Sequence, residues 1–192
     1  ATGDLQNASE ADWLKNKQPF TRNLKAAKKA EQKKRAGMSE IPSSAKTKTL
    51  QYKQNNVHDF AWFADKTFSV KTDTLQLPSG KIITANAFYY SENKENWTNS
   101  ITMIKRAILT KSKWLGEYPY NVVSVVDGGN GGGMEYPTIT LLDDGGSEKS
   151  LDFVIYHEVG HNWFEAILGT NERLHPWMDE GMNTYYDNRY SM

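Results

Sequence analysis

The sequence predicts an α+β fold, a mixed or antiparallel sheet backed by helices. Three observations carry this. Aromatic and β-branched runs punctuated by turn residues occupy 57–90 and return at 121–142; apolar residues recur at helical spacing between them; and two further helical segments follow. With 192 residues, 38% of them hydrophobic, there is material for one domain with a substantial core.

Taken in order, residues 1–56 differ in character from the rest. The 22–35 stretch is mostly Lys, Ala, Glu and Gln, which favours a solvated helix. The 39–49 stretch is Ser, Thr and Lys around Pro42 and reads as a linker. Val57-His58-Asp59-Phe60-Ala61-Trp62-Phe63-Ala64 opens an aromatic-rich region whose strand signals run to Leu77. His58 reads as a junction residue there rather than half of a second site. Pro78-Ser79-Gly80 is a turn, and 81–90 is the returning strand of a hairpin. Trp97, Ile101, Ile104, Ile108 and Leu115 recur at helical spacing, with Gly116 as the stop.

Asn121 to Asp127 is a short β-branched run expected to be a buried strand. The glycine-rich 128–133 lacks the Lys-Ser/Thr of a phosphate loop. It reads instead as backbone able to lie close to a ligand. The 138–142 stretch continues as a strand, and Asp143-Asp144-Gly145-Gly146 turns into the next helix. That helix, capped by Ser147 or Ser150 and closed by Gly169, is apolar almost all round from Leu151 to Leu168, so burial is expected. A second helix, entered through Pro176, is expected to run to Tyr186.

Composition narrows the function. Lys+Arg and Asp+Glu are 23 each, leaving no net charge to attract nucleic acid or an anionic membrane. No apolar run reaches the roughly 18 residues of a membrane span. The absence of Cys removes disulfide frameworks and thiolate metal sites. The compartment stays open, with export favoured over the cytosol.

The chemistry concentrates in His157-Glu158-Val159-Gly160-His161. Residues four apart on a helix share one face, so both imidazoles can reach one metal ion while Glu158 leans in as general base. Two His and a Glu in a buried helix are costly unless a partner satisfies them, and a metal does so more simply than a hydrogen-bonded pair of core histidines. Glu180 on the following helix is the expected third ligand. Two His, one Glu and an open position make a catalytic zinc site. Asp179 is the rival, expected to face away if Glu180 faces in. Asp187, seven residues beyond Glu180 on the same face, could hydrogen-bond a ligand from behind.

Gly132-Gly133-Met134-Glu135-Tyr136-Pro137, then H-E-V-G-H-N-W-F, then W-M-D-E-G-M-N-T-Y-Y resemble in order and spacing the gluzincin aminopeptidases of the aminopeptidase N family. The resemblance covers roughly His58 to the end and departs at Tyr136-Pro137, where many members carry Asn. It implies a thermolysin-like zinc lobe with one Zn²⁺ per chain on His157, His161 and Glu180. It further implies Glu158 as base and then acid, Glu135 binding the substrate's free amino terminus, and the backbone of Gly132, Gly133 and Met134 running beside the peptide. Residues 57–192 are then the N-terminal part of a catalytic domain incomplete at its C-terminus. Residues 1–56 are the tail of a preceding β-rich domain with a Lys-rich helical insertion. Members place an oxyanion-donating Tyr in the lobe after the second helix; that role is not assigned to Tyr185, Tyr186 or Tyr190, and this span by itself is expected to work poorly. The expected function is zinc-dependent hydrolysis of the N-terminal peptide bond of peptides with a free amino terminus. The alternatives are a zinc endopeptidase on the same lobe and a non-catalytic zinc-binding module.

Overall fold

The computed structural model describes residues 1–17, 44–128, 132–143 and 146–192. The Lys-rich 22–35 helix, and parts of the linker, glycine-rich and pre-helix turn expectations, fall outside them. The chain forms the expected mixed α+β architecture. A short antiparallel ribbon pairs β1 (Asp4–Leu5) with β2 (Tyr52–Lys53), beside α1 (Ala8–Lys15), which the sequence reading did not anticipate.

The main sheet contains β3 (Ser69–Gln76), β4 (Ile82–Tyr89), β5 (Val122–Asp127), β6 (Gly133–Met134) and β7 (Ile139–Leu142), in the order β3-β4-β5-β7-β6. β3 and β4 form the predicted hairpin, antiparallel from Ser69↔Tyr89 to Gln76↔Ile82. Its turn is closed by Leu77 N–H on the Lys81 carbonyl at 2.8 Å, with Gly80 at φ +88°. β5 runs parallel to both β4 and β7, whereas β6 returns antiparallel to β7 and forms an edge. All six residues of β5 are buried because both sheet faces are covered, as its unbroken β-branched run requires.

On one face, Ile83, Ala85, Ala87, Val123 and Val125 pack against α2 (Ser100–Leu115) and α3 (Glu148–His161). On the other, Phe68, Val126 and Ile139 pack with Ala61, Phe63 and Tyr136. α2 is preceded by a 3-10 turn over Asn96–Asn99 and stops at Gly116, which adopts φ +106°.

Three helix expectations need correction. The segment after α3 is not plain α-helix: Asn162–Ile167 widens into a π-helical turn that closes at Gly169 (φ +61°). Nor is the helix buried all round. Phe153, Ile167 and Leu168 are exposed, and Phe153 and Val154 instead line a cleft of about 390 Å³ together with Gly132, Gly133, Asp143, His157 and Glu158. The second helix is also broken. Pro176–Met178 is a 3-10 turn, and α4 (Glu180–Ser191) begins after Asp179, whose backbone (φ −96°, ψ −76°) makes the bend. Proline at the first position favours such a short turn, since it has no N–H to contribute. α4 packs on α3 through aromatic rings: Tyr190 stacks on Tyr156 at 3.8 Å between centroids, and Tyr186 lies 5.4 Å from Phe164.

Candidate metal centre

α3 starts where Ser147 Oγ accepts the Ser150 N–H at 3.1 Å, a side-chain cap that satisfies one of the helix's free donors. Three turns later the helix presents His157 and His161 on one face, their rings nearly perpendicular at 84° and 4.8 Å apart. α4 begins directly opposite, so that Glu180, its first residue, reaches both. Glu180 Oε2 lies 3.3 Å from His157 Nε2 and 3.7 Å from His161 Nε2, and the two Nε2 atoms are 3.2 Å apart.

The tautomers decide what such a triangle can hold. His157 Nδ1 is 2.6 Å from Asp187 Oδ2, and His161 Nδ1 bonds Asp179 Oδ1. A carboxylate accepts, so each Nδ1 carries the proton and each Nε2 turns a lone pair inward. Three acceptors therefore converge with no donor among them. Ligands at 2.0–2.2 Å in a tetrahedral site are roughly 3.3–3.6 Å from one another, close to the spacing found here. The donor set fits a divalent cation of zinc type, with Asp179 and Asp187 behind the two histidines in the carboxylate–histidine–metal arrangement.

Asp179 thus does not face away, as the sequence suggested. The bend before α4 lets Asp179 and Glu180 point to different atoms of one site, and Asp179 is buried beside His161. Asp187 lies where helical spacing placed it, behind His157 and almost wholly buried.

Glu158 projects beside this triangle. Burial pushes its carboxyl up to about 7, against the downward pull of His157 and His161, and Oε2 is sequestered without a hydrogen-bond partner. A carboxyl poised near neutrality is suited to exchange protons with a reacting group. The edge strand explains the sequestration: a β-carbon at Gly133 would fall 1.7 Å from Glu158 Oε1, so the backbone of β6 lies directly on that carboxyl group. Glu135 follows β6, and its carboxylate, Glu158 and His161 offer oxygens and nitrogen within 4.8 Å of one another. Desolvation raises the Glu135 pKa, with His161 opposing it. Glu135 also groups with Glu172 and Asp179 within the same distance.

Several participants were missed by sequence reasoning. Glu165, in the π-helical turn, bonds His58, which joins the 57–64 segment to the helix end. Burial first, and then Glu172, Asp179 and Glu135, raise the Glu165 carboxyl to about 8. Asn162 holds α3 to the sheet: its Oδ1 accepts the N–H of Thr138 at 2.9 Å, and its Nδ2 donates to the Val159 carbonyl at 3.1 Å. Lys111, fully buried on α2, reaches beneath α3 to Asn183 on α4. Its signal was present in the sequence, as the one charged residue completing the apolar series Ile104, Ile108, Leu115. Tyr186 and Tyr190 are engaged in helix packing, and Tyr185 is exposed.

No family model matches the chain, and no curated protein matches it. Among solved structures, it is similar to an M1 zinc metallopeptidase from Deinococcus radiodurans, with TM-score 0.48 and 19% identity over 62% of this chain and 27% of that one. The E323A mutant of that enzyme bound to a Tyr-Ser-Ala substrate is similar at TM-score 0.46 and 20% identity, again over 62% and 27%. Legionella pneumophila aminopeptidase A in complex with aspartic acid is similar at TM-score 0.43 and 16% identity, over 50% of this chain and 13% of that one. The chain thus spans about a quarter of the length of the Deinococcus enzyme. No helix among the described residues is long and apolar enough to cross a membrane.

Proposed function

We propose that this chain carries the metal centre of a zinc-dependent aminopeptidase, with one Zn²⁺ held by His157, His161 and Glu180. The observation that carries the reading is the convergence of three acceptors, two of them with tautomers set by Asp187 and Asp179. Zinc there supplies Lewis acidity, activating water near neutral pH and polarising a carbonyl.

The chain's own residues supply the rest. Glu158 takes a proton from the attacking water as oxygen bonds to the peptide carbon. It delivers that proton to the departing amine nitrogen as the carbon–nitrogen bond breaks. Its seclusion under β6 keeps bulk water from levelling its basicity. The free edge of β6 can pair with an extended peptide, whose N–H and C=O groups would continue the ladder. Glu135, at the end of that edge and beside Glu172, binds the substrate's ammonium group and so places the first peptide bond over the metal. A base beside the site separates this reading from a structural zinc module, which needs none.

The test compares free and amino-acetylated versions of one peptide, using wild type, Glu135→Gln and His161→Ala in the full-length protein. Wild type is expected to cleave only the free form. Glu135→Gln should lose at least about tenfold, the factor equivalent to 1.4 kcal/mol, while keeping its zinc. His161→Ala should lose zinc on dialysis. Equal cleavage of the acetylated peptide establishes an endopeptidase. Zinc without any cleavage by the full-length protein establishes a binding module.

A further inference from the structure

We propose that Lys111 is a positioning residue for the metal centre, acting on His157 through Asp187 and Asn183; this rests on the metal site proposed above. Lys111 occupies a core position of α2, in line with Ile104 and Ile108, and is fully buried. An isolated ammonium in such a place is costly, so what surrounds it matters. Nζ donates to Asn183 Oδ1 at 2.6 Å, faces Asp187 Oδ1 at 3.5 Å, and lies 4.2 Å from the centre of the Tyr156 ring.

Both polar partners act directly on His157. Asp187 uses Oδ1 toward the lysine and Oδ2 toward His157 Nδ1, at 2.6 Å. Asn183, its oxygen held by the lysine, can turn only its Nδ2 toward α3, where it donates to the His157 carbonyl at 2.8 Å. The ammonium thereby selects the amide orientation of Asn183 and keeps Asp187 as an acceptor. Both effects leave the His157 Nε2 lone pair facing Glu180. His161 has the Asp179 carboxylate behind it, but among the described residues no lysine or arginine pairs with that carboxylate, so the two histidines are not equivalent.

The metal helix is shaped to admit this arrangement. A β-carbon at Gly160 would fall 2.1 Å from Lys111 Nζ and 2.1 Å from Asn183 Oδ1. The glycine inside the histidine motif is the notch through which the lysine and the asparagine meet.

The experiment measures Zn²⁺ affinity by chelator competition in wild type, Lys111→Met, Asp187→Asn and the double variant, with circular dichroism to establish folding. Lys111→Met is expected to weaken zinc about tenfold or more, within the range typical of groups behind a ligand. Because the lysine acts partly through Asp187, the double variant should lose less than the sum of the two single losses. Nitrogen chemical shifts of the His157 ring in the metal-free protein should also move from one tautomer in wild type toward a mixture in Lys111→Met. Unchanged affinity in a folded Lys111→Met, or losses that simply add, overturns the proposal. Should Lys111→Met not fold, Lys111→Gln, which keeps a donor for Asn183 but no charge, takes its place with the same two outcomes. Failure of wild type to bind stoichiometric zinc is a different result and removes the metal site itself.

Discussion

At the scale of single residues, the site depends on what is absent as much as on what is present. Gly133 has no side chain where a methyl would lie 1.7 Å from Glu158 Oε1. Gly133→Ala is therefore expected to push Glu158 aside without touching a ligand. Turnover should fall by about 10²–10⁴, the range typical of general-base loss, as in Glu158→Gln, while zinc content stays at the wild-type level. Turnover measured beside metal content in both variants checks this, and a near wild-type rate for Gly133→Ala would mean that Glu158 has another place to go.

Glu165 gives a prediction for pH. Its carboxyl is raised from 4.5 to about 8 in the fold by burial, with neighbouring carboxylates adding to the effect. A group with a raised pKa binds its proton more tightly when folded. Its stabilisation is thus complete below about 4.5 and is lost as pH rises through about 8. Glu165→Gln, which keeps a donor for His58 but never ionises, should unfold like wild type near pH 4.5 and at a higher temperature at pH 8. Thermal melts across that interval are the measurement, and parallel curves for the two proteins would contradict it.

At the scale of elements, two junctions determine where the chemistry sits. The first is the contact between α3 and β7 through Asn162. Thr138 opens that strand at φ +64°, a strained conformation for a β-branched residue, and its N–H is satisfied only by Asn162 Oδ1 at 2.9 Å. Asn162→Ala leaves a buried donor unpaired at the strained residue. The expected cost is about 1–3 kcal/mol in chemical denaturation, with a looser β6–β7 edge in hydrogen exchange. The second junction is the bend at Asp179. It lets consecutive carboxylates approach His161 Nδ1 and both Nε2 atoms from different directions, which an unbroken helix could not do.

At the scale of the whole molecule, the metal would tie α3 to α4, which already meet through aromatic packing, the Lys111 contacts and the bonds of Asp187 and Asn183 to His157. Zinc binding should therefore stabilise the fold, by about 4 kcal/mol when free metal exceeds its Kd a thousandfold. The pH dependence has opposite signs in the two forms. Zinc requires neutral histidines, and although burial lowers the His157 pKa, the carboxylates of Asp187, Glu158 and Glu180 together raise it, so affinity falls with acid. The metal-free protein, by contrast, weakens toward alkaline pH as Glu158 and Glu165 ionise. The gap between zinc-loaded and chelated melting temperatures should widen from pH 5 to pH 8; a constant gap would separate the metal from these groups.

Much of this was readable in the chain itself, for local reasons. The hairpin over Ser69–Tyr89, the buried strand Val122–Asp127 and the helix Ser100–Leu115 follow from patterns that span only a few residues. So does the joint presentation of His157 and His161, which needs nothing but helical spacing, and the seven-residue step that sets Asp187 on the face of Glu180. What the tertiary structure decided lies between elements. The side of the bend on which Asp179 falls, the pairing of Glu165 with His58, and the placing of Gly133 on Glu158 all depend on segments far apart in sequence meeting at fixed distances. Lys111 is the sharpest instance. In the sequence it interrupts an apolar stripe and argues only for an imperfect core. Its charge acquires meaning when α4 brings Asn183 and Asp187 against it, and when Gly160 leaves room for them to meet. Periodicity reports which face a side chain shares; only the packing of one face on another determines which atoms satisfy a buried charge.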